Sequence, residues 1–229
     1  MFISPEQIMQ EKDEIARRGI ERGRDVVGLE FVNGIAFVAE NTSATLNKIS
    51  EIYDRIAFAG VGIYQEYDPL RMLGIEQAEV KGYTYSREDV TAKWLASLYS
   101  QVVGNVWRQY DSKPLEIELM VAEVGEPEVA PNRLYRISYD GRLSEDRHIS
   151  VVGGKAEQLR AWLVERHDPR APLASVVLLA LNALRTVRAE EDEPLTSQHL
   201  EVAVLDETRG RRKFRRFTQD EIAALLADA

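Results

Sequence analysis

Four short, apolar, β-prone segments follow one another between Asp25 and Val61 with no helical pattern between them. Asp25–Phe31 carries Val26, Val27, Leu29 and Phe31. Asn33-Gly34 follows, a pair that favours a tight hairpin because a type I′ turn needs positive φ at both central residues. Ile35–Ala39 returns, and Lys48–Tyr53 with Arg55–Val61 makes a second pair. Strands that arrive in runs, not in alternation with helices, exclude a doubly wound parallel sheet. The later strands keep this order: Glu116–Val124, Leu134–Tyr139 with a tight turn at Asp140-Gly141, Ile149–Val152 ending at Gly153-Gly154, then Glu201–Leu205 and Lys213–Phe217.

Helices frame these runs. Ser4-Pro5-Glu6-Gln7 opens the first: Ser4 caps, Pro5 suits the first helical position and Gln7 completes a capping box. Ile8, Ile15, Ala16 and Ile20 form its apolar stripe, and Gly19 and Gly23 mark its end. Tyr64–Val80 is helical, with Pro69 expected in the first turn or at a kink. The next helix is expected to begin at Ser86. From Val90 its apolar positions are Trp94, Leu95, Leu98, Tyr99, Val102, Val103, Val106 and Trp107, a 3.6-residue period. Ala156–Arg166, Leu173–Val187 and a capped Ile222–Leu226 complete the set. The order predicts an α+β fold in which two antiparallel sheets pack face to face with helix pairs outside. Ala189–Ser197 is the only plausible linker, too short and too late to divide the chain, so residues 1–229 form a single domain.

Composition narrows the chemistry. The chain has no cysteine, which removes thiolate nucleophiles, disulfides and Cys-based zinc sites. His148, His167 and His199 stand apart without metal-ligand spacing, so neither a metal nor a cofactor is expected. No apolar run reaches the roughly 20 residues of a membrane span, and Met1–Gln7 has no signal-peptide pattern. A cytoplasmic protein without membrane contact is expected. The net charge of −9 argues against nucleic-acid binding. The one basic cluster, Arg209–Arg216, is expected to be a solvated strand and turn near the acidic run Glu190–Glu193 or an acidic neighbouring chain.

Several stretches resemble the α-type subunits of 20S proteasomes, most closely the actinobacterial kind. They are ISPEQ at Ile3–Gln7, ARRGIERGR at Ala16–Arg24, FVAENTSATLNKISEIYDRIAFAGVG at Phe37–Gly62, GYTYSREDVTAKWLASLY at Gly82–Tyr99, ELMVAEVG at Glu118–Gly125, LYRISYDG at Leu134–Gly141 and LEVAVLDETRGRRKFRR at Leu200–Arg216. They cover nearly the whole chain in order. The resemblance implies the four-layer αββα sandwich of N-terminal-nucleophile hydrolases. It also implies a seven-membered ring of this chain that caps rings of catalytic β-type subunits, gates the entry of unfolded or tagged protein substrates and docks a ring-shaped AAA ATPase activator. Residues 1–23 would supply the gate segment and the ring-contact helix.

Catalytic members of that family need Thr, Ser or Cys as the first residue of the mature chain, its own amine serving as base. At the matching point this chain has Gly23-Arg24-Asp25-Val26, preceded by a helix. Glu40 and Lys48 match the catalytic acid and lysine, but without a nucleophile they cannot run the reaction. The resemblance instead puts Lys48, Gly62 and Ile63 in a pocket between adjacent subunits, where Lys48 pairs with the activator's C-terminal carboxylate. It makes Phe2, Ile3, Ser4 and Pro5 the gate. Met1, Phe2 and Ile3 precede the Ser-Pro turn here, fewer residues than actinobacterial relatives usually carry. The alternatives are a catalytically active N-terminal-nucleophile peptidase subunit and, less favoured by the net charge, a nucleic-acid-binding module using Arg209–Arg216.

Overall fold

Ser4 opens the first helix with a complete capping box: its Oγ accepts from Gln7 N at 3.2 Å and Gln7 Oε1 accepts from Ser4 N at 2.9 Å. The helix, α1 (Pro5–Arg22), ends at Gly23, whose N–H donates to the Ile20 carbonyl. Gly19 is not an end. It lies buried inside α1, facing the Glu116 side chain. The computed structural model describes residues 4–43, 45–126, 129–189 and 192–228.

The strands are β1 (Val26–Phe31), β2 (Gly34–Glu40), β3 (Ile49–Tyr53), β4 (Ile56–Gly62), β5 (Ile117–Glu123), β6 (Arg133–Ile137), β7 (Leu143–Asp146), β8 (Ile149–Val152), β9 (Leu200–Asp206) and β10 (Phe214–Arg216). They form two five-stranded sheets, ordered β10-β9-β2-β1-β8 and β3-β4-β5-β6-β7, and the paired strands are antiparallel. Helices α2 (Tyr64–Thr84) and α3 (Ala92–Arg108) cover the second sheet; α4 (Ala156–Val164), α5 (Leu173–Thr186) and α6 (Gln219–Ala227) cover the first. The result is the four-layer αββα sandwich expected from the order of elements.

Three apolar clusters hold the layers together. Between the sheets lie Phe37, Ile35, Ala203 and Leu205 from one side and Ile49, Ala59, Met120 and Leu134 from the other. This interlayer needs each strand to alternate its side chains between two buried faces. The burial of β2 along its whole length follows from that. Phe58, Leu95, Tyr99 and Leu119 join the second sheet to its helices, and Val27, Leu159, Val177 and Val202 join the first sheet to its own.

Four local expectations are corrected. The β1–β2 turn has Val32 and Asn33 at its centre, since Phe31 pairs with Gly34, and neither central residue has positive φ. Gly34 instead starts β2 at φ +147, where a Cβ would lie 2.0 Å from the Leu205 carbonyl oxygen of β9. The third helix begins at Ala92, capped by Thr91; Ser86 caps only the short 3-10 turn Arg87–Asp89. Pro69 sits in the second turn of α2 and not in the first, one of its two expected places. Finally, Leu143–Asp146 is a strand of its own, β7, at the sheet edge. Its polar composition gave no alternating signal.

Candidate functional site

The site is built around Glu201 on β9, which is buried. Its Oε2 accepts from Asn41 Nδ2 at 2.7 Å and from Lys48 N at 2.9 Å, and its Oε1 accepts from Ile49 N at 3.1 Å. Arg216 adds an ion pair. One carboxylate thus holds both ends of the connection that carries the chain from the first sheet to the second. A buried carboxylate is tolerated because several donors meet it. Lys48 is left at the start of β3, its carbonyl accepting from Gly60 N at 3.0 Å.

The Lys48 Nζ donates to the Arg24 carbonyl oxygen at 2.5 Å. Burial lowers its pKa to about 8, although the carboxylates of Asp25, Glu201 and Glu40 act in the opposite direction. Asp25 is buried too. Desolvation pushes its carboxyl above the ordinary range, against the Lys155 backbone N–H that donates to it at 2.9 Å. Glu40 pairs with Arg188 and, at 3.4 Å, with Arg24. Glu40 and Lys48 therefore share one charged cluster. The peptide that joins α1 to β1 supplies a carbonyl to the lysine where a hydrolase would need a nucleophile's hydroxyl or thiol. The cluster has an ammonium able to hold an anion and, among the described residues, no hydroxyl or thiol beside it to serve as the nucleophile.

Gly62 and Ile63 reach the same joint from the other side. Gly62 has φ +109, and a Cβ there would lie 1.9 Å from the Glu116 carbonyl oxygen. Ile63 N donates to that same oxygen at 3.1 Å, and the Ile63 carbonyl accepts from Glu66 N and Tyr67 N to start α2. Lys113 bridges Glu66 and Glu116 at 2.8 and 2.7 Å, fixing the turn. Gly23, at the exit of α1, packs against Val61 and Gly62, while its neighbour Arg24 meets Lys48. The α1–β1 joint thus touches Lys48 and Gly62 directly, with Ile63 next in the chain.

Of the residues expected to form the gate, the described ones lie at the opposite end of α1. Ser4 and Pro5 are the cap and first residue of the helix; Phe2 and Ile3 lie outside the described residues. Eighteen helical residues separate the two ends, about 27 Å at 1.5 Å per residue. Lys12, unnoticed in the sequence, fixes the helix between them. It is 5% exposed, and its Nζ donates to the carbonyls of Trp107 and Gln109 at the end of α3, where a cation offsets the helix dipole. The available signal was a lysine placed on the Ile8–Ile15–Ala16 stripe.

Within the chain the basic cluster finds partners among the described residues. Arg212 pairs with Glu51 at 2.6 Å, Arg215 with Glu221 at 2.7 Å and Arg211 with Asp54 at 3.6 Å. Glu190 and Glu191 lie outside the described residues, and Asp192 pairs with Arg24. The histidines have local partners: His148 Nδ1 and Glu30 Oε2 are 2.8 Å apart, and His167 Nε2 bonds the Glu30 carbonyl. Among the described residues no cluster of metal-ligating side chains occurs, and no helix is long and apolar enough to cross a membrane.

Comparison with known proteins agrees with this architecture. The family model described as proteasome subunit matches residues 20–205. Among curated proteins, the proteasome subunit alpha of Acidothermus cellulolyticus is 47% identical over 226 residues, covering 98% of this chain and 96% of the relative. That of Kineococcus radiotolerans is 48% identical, covering 99% and 97%. That of Mycobacterium tuberculosis is 46% identical, covering 99% and 93%. With such identity running almost end to end, the chain belongs to the proteasome subunit family, among its α-type members.

Proposed function

We propose that this chain is a non-catalytic α-type subunit of a 20S proteasome core. It forms heptameric outer rings with copies of itself, caps rings of catalytic β-type subunits in the cytoplasm, and admits unfolded or tagged protein substrates. The observation that carries this reading is the Arg24 carbonyl bonded to Lys48. The lysine that would activate a nucleophile holds a mid-chain peptide instead. A catalytic subunit is not favoured, because α1 runs directly into β1 through Gly23-Arg24-Asp25.

Lys48, Gly62 and Ile63 form the docking contact for a ring-shaped AAA ATPase. The ammonium takes the activator's terminal carboxylate, Ile63 gives apolar contact, and Gly62, whose missing Cβ makes room for the Glu116 carbonyl, holds the turn that presents them. One such pair contributes little by itself, because desolvation of the lysine offsets the attraction. Several around a ring hold a large partner because each later contact is effectively intramolecular. Phe2, Ile3, Ser4 and Pro5 form the gate at the other end of α1.

The test is reconstitution with a β-type partner and an activator. Lys48→Ala should abolish activator-stimulated protein degradation and leave basal peptide hydrolysis intact; unchanged stimulation sinks the docking assignment. The chain alone should hydrolyse no peptide, and turnover by it would restore the catalytic alternative. Extending the chain before Met1 should lower basal hydrolysis by the particle, and an unaltered rate would argue against the gate.

A further inference from the structure

Beyond Lys48 the edge of the sandwich is strongly basic. β3 and β10 are the outermost strands of their sheets. Arg216 links them, pairing with Glu201 and donating to the Ile49 carbonyl. A groove of about 470 Å³ opens over this edge, lined by Arg71, Arg209, Arg212, Arg215 and Arg216 against a single carboxylate, Glu51. Five guanidiniums in one groove stand out in a chain of net charge −9. Four of them hold a carboxylate: Arg71 pairs with Asp68, Arg212 with Glu51, Arg215 with Glu221 and Arg216 with Glu201. Arg209 bonds only the Arg212 carbonyl and has no carboxylate partner among the described residues. Each guanidinium carries five N–H donors in a fork that suits carboxylates. The outward-facing ones, such as Arg212 at 72% side-chain exposure, keep donors for a ligand.

We infer that this groove receives acidic side chains of a partner's C-terminal tail whose terminal carboxylate sits on Lys48. The inference rests on the docking role proposed above and adds the chemistry of the tail. Ser50 and Glu51, two and three residues past Lys48 on the same strand, line the groove. At roughly 3.3 Å per strand residue this puts it about 7–10 Å from the lysine. An extended tail therefore delivers Glu or Asp about two to four positions before its last residue. Among the described strands β3 pairs only with β4, but on its outer edge the Ile49 N–H and carbonyl already bond Glu201 and Arg216, so recognition of the tail rests on the guanidiniums. A long polyanion such as RNA fits less well, because the acidic remainder of the surface repels it.

The test uses the assembled particle and two fluorescent dodecapeptides that share an apolar C-terminal residue. One carries three glutamates at the second to fourth positions before it; the other carries glutamines there. Anisotropy should show the acidic peptide binding about fivefold more tightly at low salt, with the difference shrinking as salt rises. The double variant Arg209→Ala/Arg212→Ala should erase that difference and leave the glutamine peptide unaffected, while Arg209→Lys/Arg212→Lys keeps most of it. Equal affinity for both peptides, or an intact difference in the alanine variant, overturns the groove. If Lys48→Ala weakens both peptides equally while the arginine variants change nothing, docking stands and the groove fails. If Lys48→Ala changes nothing and the acidic preference persists, the docking role fails instead. Displacement of the acidic peptide by a short RNA at equal charge concentration would also overturn the assignment to a protein tail.

Discussion

β2 and β9 pass from a dry interlayer at Phe37 and Ala203 to a charged end at Glu40 and Glu201 within a few residues. In the interlayer, position is set by volume. Phe37 is fully buried, and its neighbours touch it only through dispersion and the exclusion of water. At the charged end, position is set by hydrogen bonds: Glu201 alone collects Asn41, Lys48, Ile49 and Arg216. The interlayer tolerates change in proportion to the space left behind. The charged end is sensitive to one atom group, because removing Glu201 strands several donors at once. Stability thus belongs mainly to the first region, and the placement of Lys48 belongs to the second.

The comparison can be broken most directly at Phe37. Phe37→Ala should cost about 3–5 kcal/mol in denaturant unfolding by leaving a cavity between the sheets. A loss under 1 kcal/mol would mean the interlayer repacks freely and volume does not set it. Glu201→Ala should cost less, about 2–3 kcal/mol, since Arg216 is one-third exposed and recovers water. It should nevertheless weaken activator docking more than Phe37→Ala does, as scored by stimulated degradation at matched particle concentration. The reverse ranking would place Lys48 under the control of the core.

The pH response sharpens the same contrast. The Lys48 pKa of about 8 lies below the ordinary 10.5. Docking of a carboxylate should therefore fall about tenfold per pH unit above 8, as the free site loses its proton. Between pH 8 and 10.5 the unfolded chain keeps a proton that the native Lys48 has released, so this residue's contribution to stability rises with pH. Docking and stability should move in opposite directions, and parallel movement would exclude Lys48 as the titrating group. The smallest effect is expected at the far end of α1. Ser4→Ala should cost about 1 kcal/mol through the lost cap, with peptide binding at Lys48 unchanged. A change in that binding would show that the two ends of the helix are coupled.

Most of the fold was legible because it follows from period and punctuation. The clustered strands from Val26 to Gly62, the α3 stripe of Leu95, Tyr99 and Val103, and the Ser4 and Thr218 capping boxes all act within a few residues of chain. Misjudged features had long-range causes. The local pattern places Gly34 in the turn, but the Leu205 carbonyl of another strand is what excludes its side chain. The polar β7 is a strand because β6 offers it an edge. In the site, Lys48, Gly62 and Ile63 stand out by resemblance, whereas Glu201 and Asp25 carry no local mark and Lys12 only its place on the apolar stripe of α1. Their partners lie 153, 130 and 95 residues away in the chain.

What the sequence determined by itself was the order of layers and the missing nucleophile, since both depend on residue type and short-range pattern. A hydroxyl or thiol absent at Gly23-Arg24-Asp25 is absent in any fold. What only the tertiary structure decided is how the retained lysine is used. Its Nζ meets the Arg24 carbonyl, its pKa falls through burial and its backbone hangs on Glu201. These properties come from groups distant in sequence, and the local dielectric and donor geometry they create exist only once the two sheets have closed.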